Sequence, residues 1–348
     1  MNRLNLNTRL LISFVVLLAG TAASITFFRR QQPLPCHAEM EEAVALTEKM
    51  FGVIELLKME RNIVSDAHSN VPFGFMIGDE WTDITTTLGS LDAKETSTNP
   101  DFAALTVRLL HEAGISSGDK VGVIISGSFP ALAISALAAL QTMGIEPVVM
   151  SSLGASTYGA NQPGATWIDM ETALRRGGLK FKSVLVSAGA GGDTGMGLSP
   201  EGMALIGNAA NRNRIDLYIP ENLQESLMRR ETIFREANIS LLINIGGNET
   251  ALGGCVHALG IPNGLSYEMT YCDDPDRGLI SRLSQSGIPV INMLDIKDLA
   301  SRYGMAVSPG IKYSGSTNLY NTTTTNRVML AFILAISLVP VFFLRRRQ

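Results

Sequence analysis

Short apolar runs alternate with longer segments of helical periodicity between residues 99 and 303. The runs are rich in Val and Ile and are apolar on both faces, which is typical of strands buried in a doubly covered parallel sheet. They predict strands at Val121–Ile125, Pro147–Met150, Ser183–Ser187, Ser240–Ile245 and Pro289–Met293. Because helix-length segments separate these strands, we expect an α/β domain with a three-layer, mostly parallel, Rossmann-like sheet.

The segments between the strands carry helix signals at their ends. Asn99 and Pro100 precede one such segment, and Gly114 stops it. The predicted helices cover Ala38–Asn62, Asn99–Ala113, Ala131–Leu140, Trp167–Arg176, Pro200–Arg212, Glu221–Ala237, Ala251–Leu259, Pro275–Ser286 and Asp295–Tyr303. Ala131–Leu140 has no charge, so it is expected to be buried on most sides. The turn-rich segment Asn70–Pro100 is interpreted as a long ordered loop, a kind that is often functional.

Three of the predicted strands lead directly into glycine-rich turns. In open α/β sheets the carboxyl ends of parallel strands share one edge, and ligands bind there. The first turn also precedes Pro130, which suits the first position of a helix whose free N–H groups attract anions. We therefore predict one ligand-binding site made of Ser126, Gly127, Ser128, Gly189, Gly191, Gly192, Asp193, Gly246, Gly247, Asn248 and Glu249.

Other interpretations of these turns stay open. In one of them the glycines only let helices pack closely on strands, and Glu249 only favours the positive end of its helix. Asp193 and Glu249 fit an anion site poorly unless they meet a cation or donate while protonated. No GxGxxG pattern leads directly into a helix, and the phosphate-binding pattern GxxxxGK[ST] is absent. The sequence therefore assigns no cofactor.

Ser126 and Ser128 lie at a strand-to-helix turn, which superficially resembles the nucleophile elbow of serine hydrolases. The elbow pattern GxSxG is absent around them, and none of the four histidines completes a recognisable triad. No CxxC or His/Cys spacing indicates a metal site. The catalytic residues thus stay unassigned, and the sequence leaves open whether any reaction is catalysed.

Uncharged hydrophobic segments lie near both ends of the chain. Leu10–Phe28 and Val328–Leu344 are each long enough to span a bilayer core of ~30 Å, and Arg345–Arg347 follows the second. The basic residues predict cytoplasmic termini and an extracytoplasmic main domain, anchored in the cytoplasmic membrane. Taken alone, the first segment also resembles a signal peptide. Arg29-Arg30 and the lack of a small-residue cleavage site favour an uncleaved anchor instead.

These features predict a transmembrane helix in 1–30, a membrane-proximal helix and long polar loop in 31–98, the α/β domain with a polar linker in 99–326, and a second transmembrane helix in 327–348. Within this division, Gln31–Pro35 and Tyr313–Thr325 are predicted linkers. The net charge of −4 and the lack of a basic patch give no indication of nucleic acid as a partner. Outside the cytoplasm Cys255 and Cys272 can form a disulfide; alternatively Cys255 is simply a buried thiol.

Several stretches together carry a resemblance to a known family. They are Gly78–Ala104, Val123–Ala133 with its Ser-Gly-Ser-Phe-Pro, Ser187–Pro200 and Asn244–Gly254, with the short tail after the domain. Over nearly its whole length the chain resembles the poly-gamma-glutamate system protein family. The resemblance implies a membrane protein that accompanies the poly-γ-glutamate synthase components in making or exporting this capsule-type polymer at the cell envelope. It supplies no catalytic residues.

Two functions of different class follow. In the first, the domain is an accessory factor that binds the synthase, the polymer or another anionic ligand; poly-γ-glutamate carries one carboxylate per residue, which suits an anion site. In the second, the domain is a hydrolase or transferase that acts on the γ-glutamyl polymer. The missing triad favours the first function. A receptor for an unrelated small anion is a third interpretation, distinguished by showing no preference for γ-linked oligomers.

Reporter fusions test the predicted topology. A fusion just after Phe28 is expected to report the extracytoplasmic side and a fusion at the C-terminus the cytoplasmic side, because Arg345–Arg347 holds that end inside. Paired reporters, one active only outside and one only inside, measure both positions. Cytoplasmic signals from both fusions, or recovery of a chain cleaved near Phe28, would contradict the prediction.

Overall fold

The computed structural model describes residues 29–63, 68–254, 260–267, 277–309 and 317–325, with a few residues elsewhere (8, 11, 14, 15, 17–22, 275 and 335). The described residues fall into two compact units, one drawn from 1–35 and 320–348 and the other from 36–319. From residue 36 onwards, the helix and loop predicted in 31–98 therefore belong to the same unit as the sheet.

The strands, numbered along the chain, are β1 (Arg29–Pro33), β2 (Lys120–Ser126), β3 (Glu146–Ser152), β4 (Ser183–Ser187), β5 (Leu217–Tyr218), β6 (Leu241–Ile245), β7 (Gly264–Ser266), β8 (Val290–Met293) and β9 (Asn321–Thr325). The helices are α1 (His37–Glu60), α2 (Leu91–Ser97), α3 (Asp101–Glu112), α4 (Pro130–Thr142), α5 (Trp167–Arg176), α6 (Pro200–Asn213), α7 (Leu223–Ala237), α8 (Glu249–Leu252), α9 (Leu279–Ser284), α10 (Ile296–Arg302) and α11 (Thr317–Tyr320), with a 3-10 helix at Gly74–Met76.

The larger unit is built on a seven-stranded sheet with the order β5-β4-β3-β2-β6-β8-β7. Its neighbouring strands are parallel except for β7 and β8, which pair antiparallel at one edge. β2, β4 and β6 are inner parallel strands, as predicted, and the central order is that of a Rossmann-like sheet. β5 and β7 escape prediction because such short strands carry no periodicity.

Helices cover both faces of this sheet. One face carries an apolar cluster shared by β2, β6 and α7, which includes Ile124, Leu242 and Phe234. The other carries a cluster shared by β4, α5 and α6, which includes Val186 and Ile206. The predicted three-layer arrangement is therefore confirmed.

The uncharged helix α4 is buried through most of its length, as its sequence predicts. Its outer side is covered by α1, which packs against α3, α4 and α5. α1 accordingly has a buried stripe that includes Met40, Phe51 and Ile54. Because a further helix lies outside it, α4 needs no polar face.

Two predicted elements differ from the structure within this unit. Asn70–Pro100, predicted as one long loop, contains α2, whose first turn is capped by Ser90. This helix has seven residues, too few for a helical period to be recognised. The helix predicted at Ala251–Leu259 starts earlier, at Glu249, and α8 ends before Gly253, which has a left-handed φ of +82°.

The smaller unit contains β1 and β9, which pair antiparallel. The sequence predicts linkers here, at Gln31–Pro35 and Tyr313–Thr325, and the strands show that this interpretation is wrong. The polar run of β9 has no apolar face that would predict a strand. Its threonines are nonetheless β-branched and favour an extended backbone.

Two further predictions fall mainly on residues that the structure does not describe. Leu10–Phe28 and Val328–Leu344 lie largely outside the described residues, and Cys255 and Cys272 lie wholly outside them. Within the described part of the chain, no helix combines the length and the apolar character needed to cross a membrane. Cys36 is a buried free thiol.

The substitution Gly122→Ala tests the packing of the apolar core between the sheet and α7. A Cβ at this position would lie 2.6 Å from Cδ1 of Ile239 and 2.9 Å from Cε1 of Phe234, both buried. We expect Gly122→Ala to lower the free energy of unfolding by about 1–3 kcal/mol, because the added methyl group overpacks a dense core.

Gly207→Ala in α6 is the matched control for this substitution. Its Cβ would meet nothing within 4 Å, and alanine in a helix interior is stabilising by roughly 0.5–1 kcal/mol. Urea unfolding of the full chain measures both changes. Equal effects at the two positions would contradict the packing described for Gly122.

Candidate functional site

The carboxyl ends of β2 and β6 form a topological switch point. The crossover from β2 passes through α4, on the face that α1 and α5 cover. α7 and α8, which precede and follow β6, pack on the opposite face. The loops after β2 and β6 therefore diverge and leave a crevice, which is where open α/β sheets bind ligands.

A cleft of about 160 Å³ occupies this crevice. Its wall brings together all three glycine-rich turns that the sequence places at one edge of the sheet. Of the predicted residues the wall contains Ser126, Ser128, Gly189, Gly191, Asp193, Gly247, Asn248 and Glu249. Gly127, Gly192 and Gly246 belong to the same turns but do not line the cleft.

The wall also contains residues that sequence reasoning missed, and most of them carry hydroxyl groups. They are Thr86, Thr87, Ser152, Gly154, Ala190 and Thr250. The N–H of Thr86 donates to the Ala155 carbonyl at 2.8 Å, which ties the long loop to the end of β3. The threonine run at 85–87 is a sequence feature that could have drawn attention to Thr86 and Thr87. However, no known motif places such a run at this edge of the sheet.

Ser126 and Ser128 form a short chain of hydrogen bonds at the exit of β2. The Ser126 hydroxyl donates to Oγ of Ser128 at 2.9 Å, and the N–H of Ser156 donates to the same oxygen at 3.0 Å. Since that oxygen already accepts two hydrogen bonds, its own proton points elsewhere. Ser128 is half-buried in the cleft wall, so its hydroxyl is a donor within reach of a ligand.

Gly127 and Gly246 serve packing rather than the cleft. The N–H of Gly127 donates to the Ser152 carbonyl at 3.1 Å, and a Cβ there would lie 3.1 Å from the Leu153 carbonyl oxygen. Gly246 has a left-handed φ of +85° and donates to the Met293 carbonyl at 3.0 Å. Close packing, the alternative interpretation of these glycines, therefore accounts for both positions.

Asp193 is held in a buried ion pair. Its carboxylate accepts hydrogen bonds from Ser187 at 2.6 Å, from Ser226 at 2.6 Å and from the guanidinium of Arg230 at 2.8 Å. Arg230 is only 1% exposed and also donates to Ser187 at 2.8 Å. The charge of Asp193 is thus compensated inside the protein, which removes its conflict with an anion site. The pair also fixes a turn in which Asp193 has φ +64°.

Glu249 joins the second and third turns. Its carboxylate accepts the N–H of Gly192 at 2.7 Å, so Gly192 links the turns without lining the cleft. Unlike Asp193, Glu249 has no cationic partner among the described residues. Its negative charge therefore opposes an anion bound close to it.

The third turn supplies unpaired backbone donors. Oδ1 of Asn248 caps α8 by accepting the N–H of Ala251 at 2.8 Å and the hydroxyl of Thr250 at 2.6 Å. In the part of the chain that the structure describes, the N–H groups of Gly247, Asn248 and Glu249 have no acceptor. Consecutive free N–H groups in a turn are suited to binding an anion.

A wider cleft of about 410 Å³ adjoins the narrow one and shares Thr87, Ser128 and Gly247 with it. Its wall includes Lys94 from α2 and Lys297 from α10. Lys297 is half-buried and already paired with Asp92 of α2 at 3.2 Å. Lys94 is the buried member of the two, and it brings a titratable amine to the boundary between the clefts.

Lys94 makes only neutral contacts. Its Nζ donates to the Ser128 carbonyl and, at 2.8 Å, to Oγ of Ser156, and it lies 3.7 Å from the centre of the Phe129 ring. Burial lowers the pKa of Lys94 to about 7. Sequence reasoning missed this residue because α2 lay inside a segment without assigned structure.

Among the described residues, no group of His, Cys, Asp and Glu is arranged to hold a metal ion. Comparisons of the chain with protein-family models, with curated proteins and with solved structures found no match.

The buried pair of Asp193 and Arg230 predicts a large effect of Arg230→Met. Removing the guanidinium leaves a carboxylate buried without its counter-ion, so we expect the free energy of unfolding to fall by about 3–5 kcal/mol. The matched control on the same helix is Arg235→Met, because Arg235 is 47% exposed in its pair with Glu231.

The control is expected to change stability by less than ~1 kcal/mol, as exposed pairs do. Chemical denaturation of both full-length variants measures the difference. Similar losses in the two variants would show that Asp193 does not depend on Arg230.

Proposed function

We propose that this chain is a membrane-anchored accessory protein of poly-γ-glutamate synthesis or export, whose α/β unit binds carboxylates of an anionic ligand in the narrow cleft. The observation that carries the proposal is the set of donors in that cleft. The Ser128 hydroxyl and the N–H groups of Gly247 and Asn248 are directed to no acceptor in the described part of the chain. Donors left unpaired in this way are stabilised when a carboxylate accepts from them.

The charges around the cleft support an anionic ligand of moderate affinity. Arg230 neutralises Asp193, so the second turn presents backbone rather than charge. Glu249 works against binding, and Lys94 in the adjoining wall adds little positive charge because burial lowers its pKa to about 7. A hydrogen bond to a charged group contributes roughly 1.5–3 kcal/mol, so a few such donors outweigh one exposed carboxylate that solvent screens.

The size of the two clefts favours a repeating ligand over a nucleotide. The narrow cleft of about 160 Å³ is below the roughly 300–1,000 Å³ usual for a site that encloses a whole cofactor. It suits one acidic group, and the wider cleft that shares Ser128 suits the next part of an extended chain. Poly-γ-glutamate presents one carboxylate per residue along such a chain.

The resemblance to the poly-gamma-glutamate system protein family supports the biological setting. Three of the stretches that carry it, Val123–Ala133, Ser187–Pro200 and Asn244–Gly254, contain the three turns of the cleft. The fourth, Gly78–Ala104, contains the threonine run and Lys94. In this proposal both terminal hydrophobic segments anchor the chain in the cytoplasmic membrane, the α/β unit lies outside, and the synthase components are its partners.

Gly247→Val tests the binding proposal. Gly247 is exposed in the walls of both clefts, and a Cβ there would meet the ends of the Leu294 and Leu252 side chains, at 3.1 Å and 3.8 Å. We expect the fold to be kept and the Kd for γ-linked glutamate oligomers to rise about tenfold or more, a loss of ~1.4 kcal/mol, because valine blocks approach to the backbone donors. Gly127 is unsuitable for this test because a side chain there meets the Leu153 carbonyl.

Titration calorimetry of the full chain in detergent micelles measures this binding, and Gly207→Val on the surface of α6 is the control. Binding to the parent chain should weaken as salt is raised, because the contact is ionic. Parent-like binding by Gly247→Val would place the ligand elsewhere. Equal affinity for inorganic phosphate and for γ-linked oligomers would support a small-anion receptor instead.

A further inference from the structure

Lys94 and Ser156 meet in the wall of the wider cleft. Lys94 lies on α2, and Ser156 follows β3 in the chain, yet Nζ of the lysine is 2.8 Å from Oγ of the serine. Both residues line the cleft together with Ser128. The N–H of Ser156 donates to Oγ of Ser128 at 3.0 Å, so the serine is held at the boundary with the narrow cleft.

The surroundings of Lys94 favour an uncharged amine. Its contacts are the Ser128 carbonyl, the Ser156 hydroxyl and the Phe129 ring, and none of them is anionic. The charged groups on its own helix and on the adjacent α10 with its capping residue are Asp92, Glu95, Asp295, Lys297, Asp298 and Arg302. None of these forms an ion pair with Lys94 among the described residues; Lys297 and Asp92 pair with each other at 3.2 Å. Burial without a counter-ion disfavours the ammonium form.

A second buried lysine in the same unit shows what a purely structural arrangement looks like. Nζ of Lys58 donates to the carbonyls of Phe75 and Ile77, at 2.6 Å and 3.3 Å. Burial lowers the pKa of Lys58 to about 8, but carbonyl oxygens have no proton to give. Lys94 differs because one of its partners is a hydroxyl that lines an open cleft.

We propose that Ser156 is a nucleophile activated by Lys94 as general base, and that the wider cleft is an acyl-transfer site for γ-linked amides. This proposal rests on the proposed function, since the carboxylate next to the reacting amide would occupy the narrow cleft. A lysine amine beside a serine hydroxyl is a known alternative to a triad for activating serine.

The reaction balances with water as the only co-reactant. Oγ of Ser156 bonds to the amide carbonyl carbon while the Lys94 amine takes the hydroxyl proton; the C–N bond then breaks, and the ammonium returns that proton to the leaving amine. Water next bonds to the acyl carbon and gives a proton to Lys94. The Ser156 ester bond breaks, and Oγ takes the proton back. An incoming amine in place of water gives transfer instead of hydrolysis.

Gly89 keeps the approach to this pair open. A Cβ at this position would lie 2.9 Å from Oγ of Ser156 and 3.2 Å from Cε of Lys94. The glycine itself lies in the wall of the wider cleft. A side chain here would therefore press on both Ser156 and Lys94 and crowd the approach to the nucleophile.

A fluorophosphonate probe tests the proposal on the full chain in detergent micelles. In the labelling step Oγ of Ser156 bonds to phosphorus, fluoride leaves, and Lys94 takes the proton. Peptide mass spectrometry is expected to find the label on Ser156, and the parent chain is expected to shorten γ-linked glutamate oligomers. Lys94→Met and Lys94→Arg should each slow labelling roughly 10²-fold or more, because general bases contribute on that scale.

The matched control is Lys58→Met, which removes a buried lysine whose amine donates to two backbone carbonyls, and it should label at the parent rate. Rescue by Lys94→Arg would overturn the base role, since arginine keeps the charge but cannot accept the proton. If the Lys94 variants do not fold, the labelling rate of the parent against pH decides: it should rise with an apparent pKa near 7, and a rate that is flat from pH 6 to pH 9 would overturn the proposal.

Failure of this proposal is distinguishable from failure of the binding proposal. A parent chain that binds γ-linked oligomers but neither labels at Ser156 nor shortens them would overturn the nucleophile and leave the binding function standing. A parent chain that labels at Ser156 and fails to bind the oligomers would support the nucleophile and exclude this polymer as its substrate.

Discussion

The structure depends on one packing constraint: inner strands that are apolar on both faces must be covered on both sides. With right-handed crossovers, strands that are added on opposite sides of a first strand have their helices on opposite faces of the sheet. Here the two sides meet at the neighbouring strands β2 and β6. The loops leaving these strands are directed apart by the helices that follow them. The crevice is therefore a consequence of covering the sheet on both faces. The packing of α1 on α4 meets the same constraint, because it covers the apolar outer side of α4.

The polar interactions of the site are arranged to fix turns that glycine would otherwise leave free. Three hydrogen-bond donors hold the carboxylate of Asp193, and Glu249 holds the N–H of Gly192. A buried ion pair contributes little net stability, because desolvation cancels much of the attraction. Its effect is on position: the second turn keeps one conformation, and the donors of the third turn stay aligned without a ligand to order them.

The sequence predicts the helices and strands that are long enough to show a hydrophobic pattern. β2, β4 and β6 were recognisable because each is a continuous apolar run, and the predicted bounds of α5, Trp167–Arg176, agree with the structure. α2, β5 and β7 were not recognisable, because elements this short are fixed by tertiary contacts. Likewise, the turns of the cleft could be predicted from strand exits, whereas the packing roles of Gly127 and Gly246 depend on neighbours such as the Leu153 carbonyl. The contact of Lys94 with Ser156 joins distant segments and follows no motif.

The two proposed roles of this region constrain each other through the proton of Lys94. A carboxylate held within about 4–6 Å of the amine would raise its pKa and favour the ammonium, which cannot act as a base. A polyanionic ligand therefore has to place its acidic groups by the backbone donors of the third turn and its neutral amide beside Ser156. Ser128 stands between these positions, with its hydroxyl in one cleft wall and its carbonyl on Lys94. The spacing of carboxylate and amide in the ligand thus decides whether binding supports the chemistry or suppresses it.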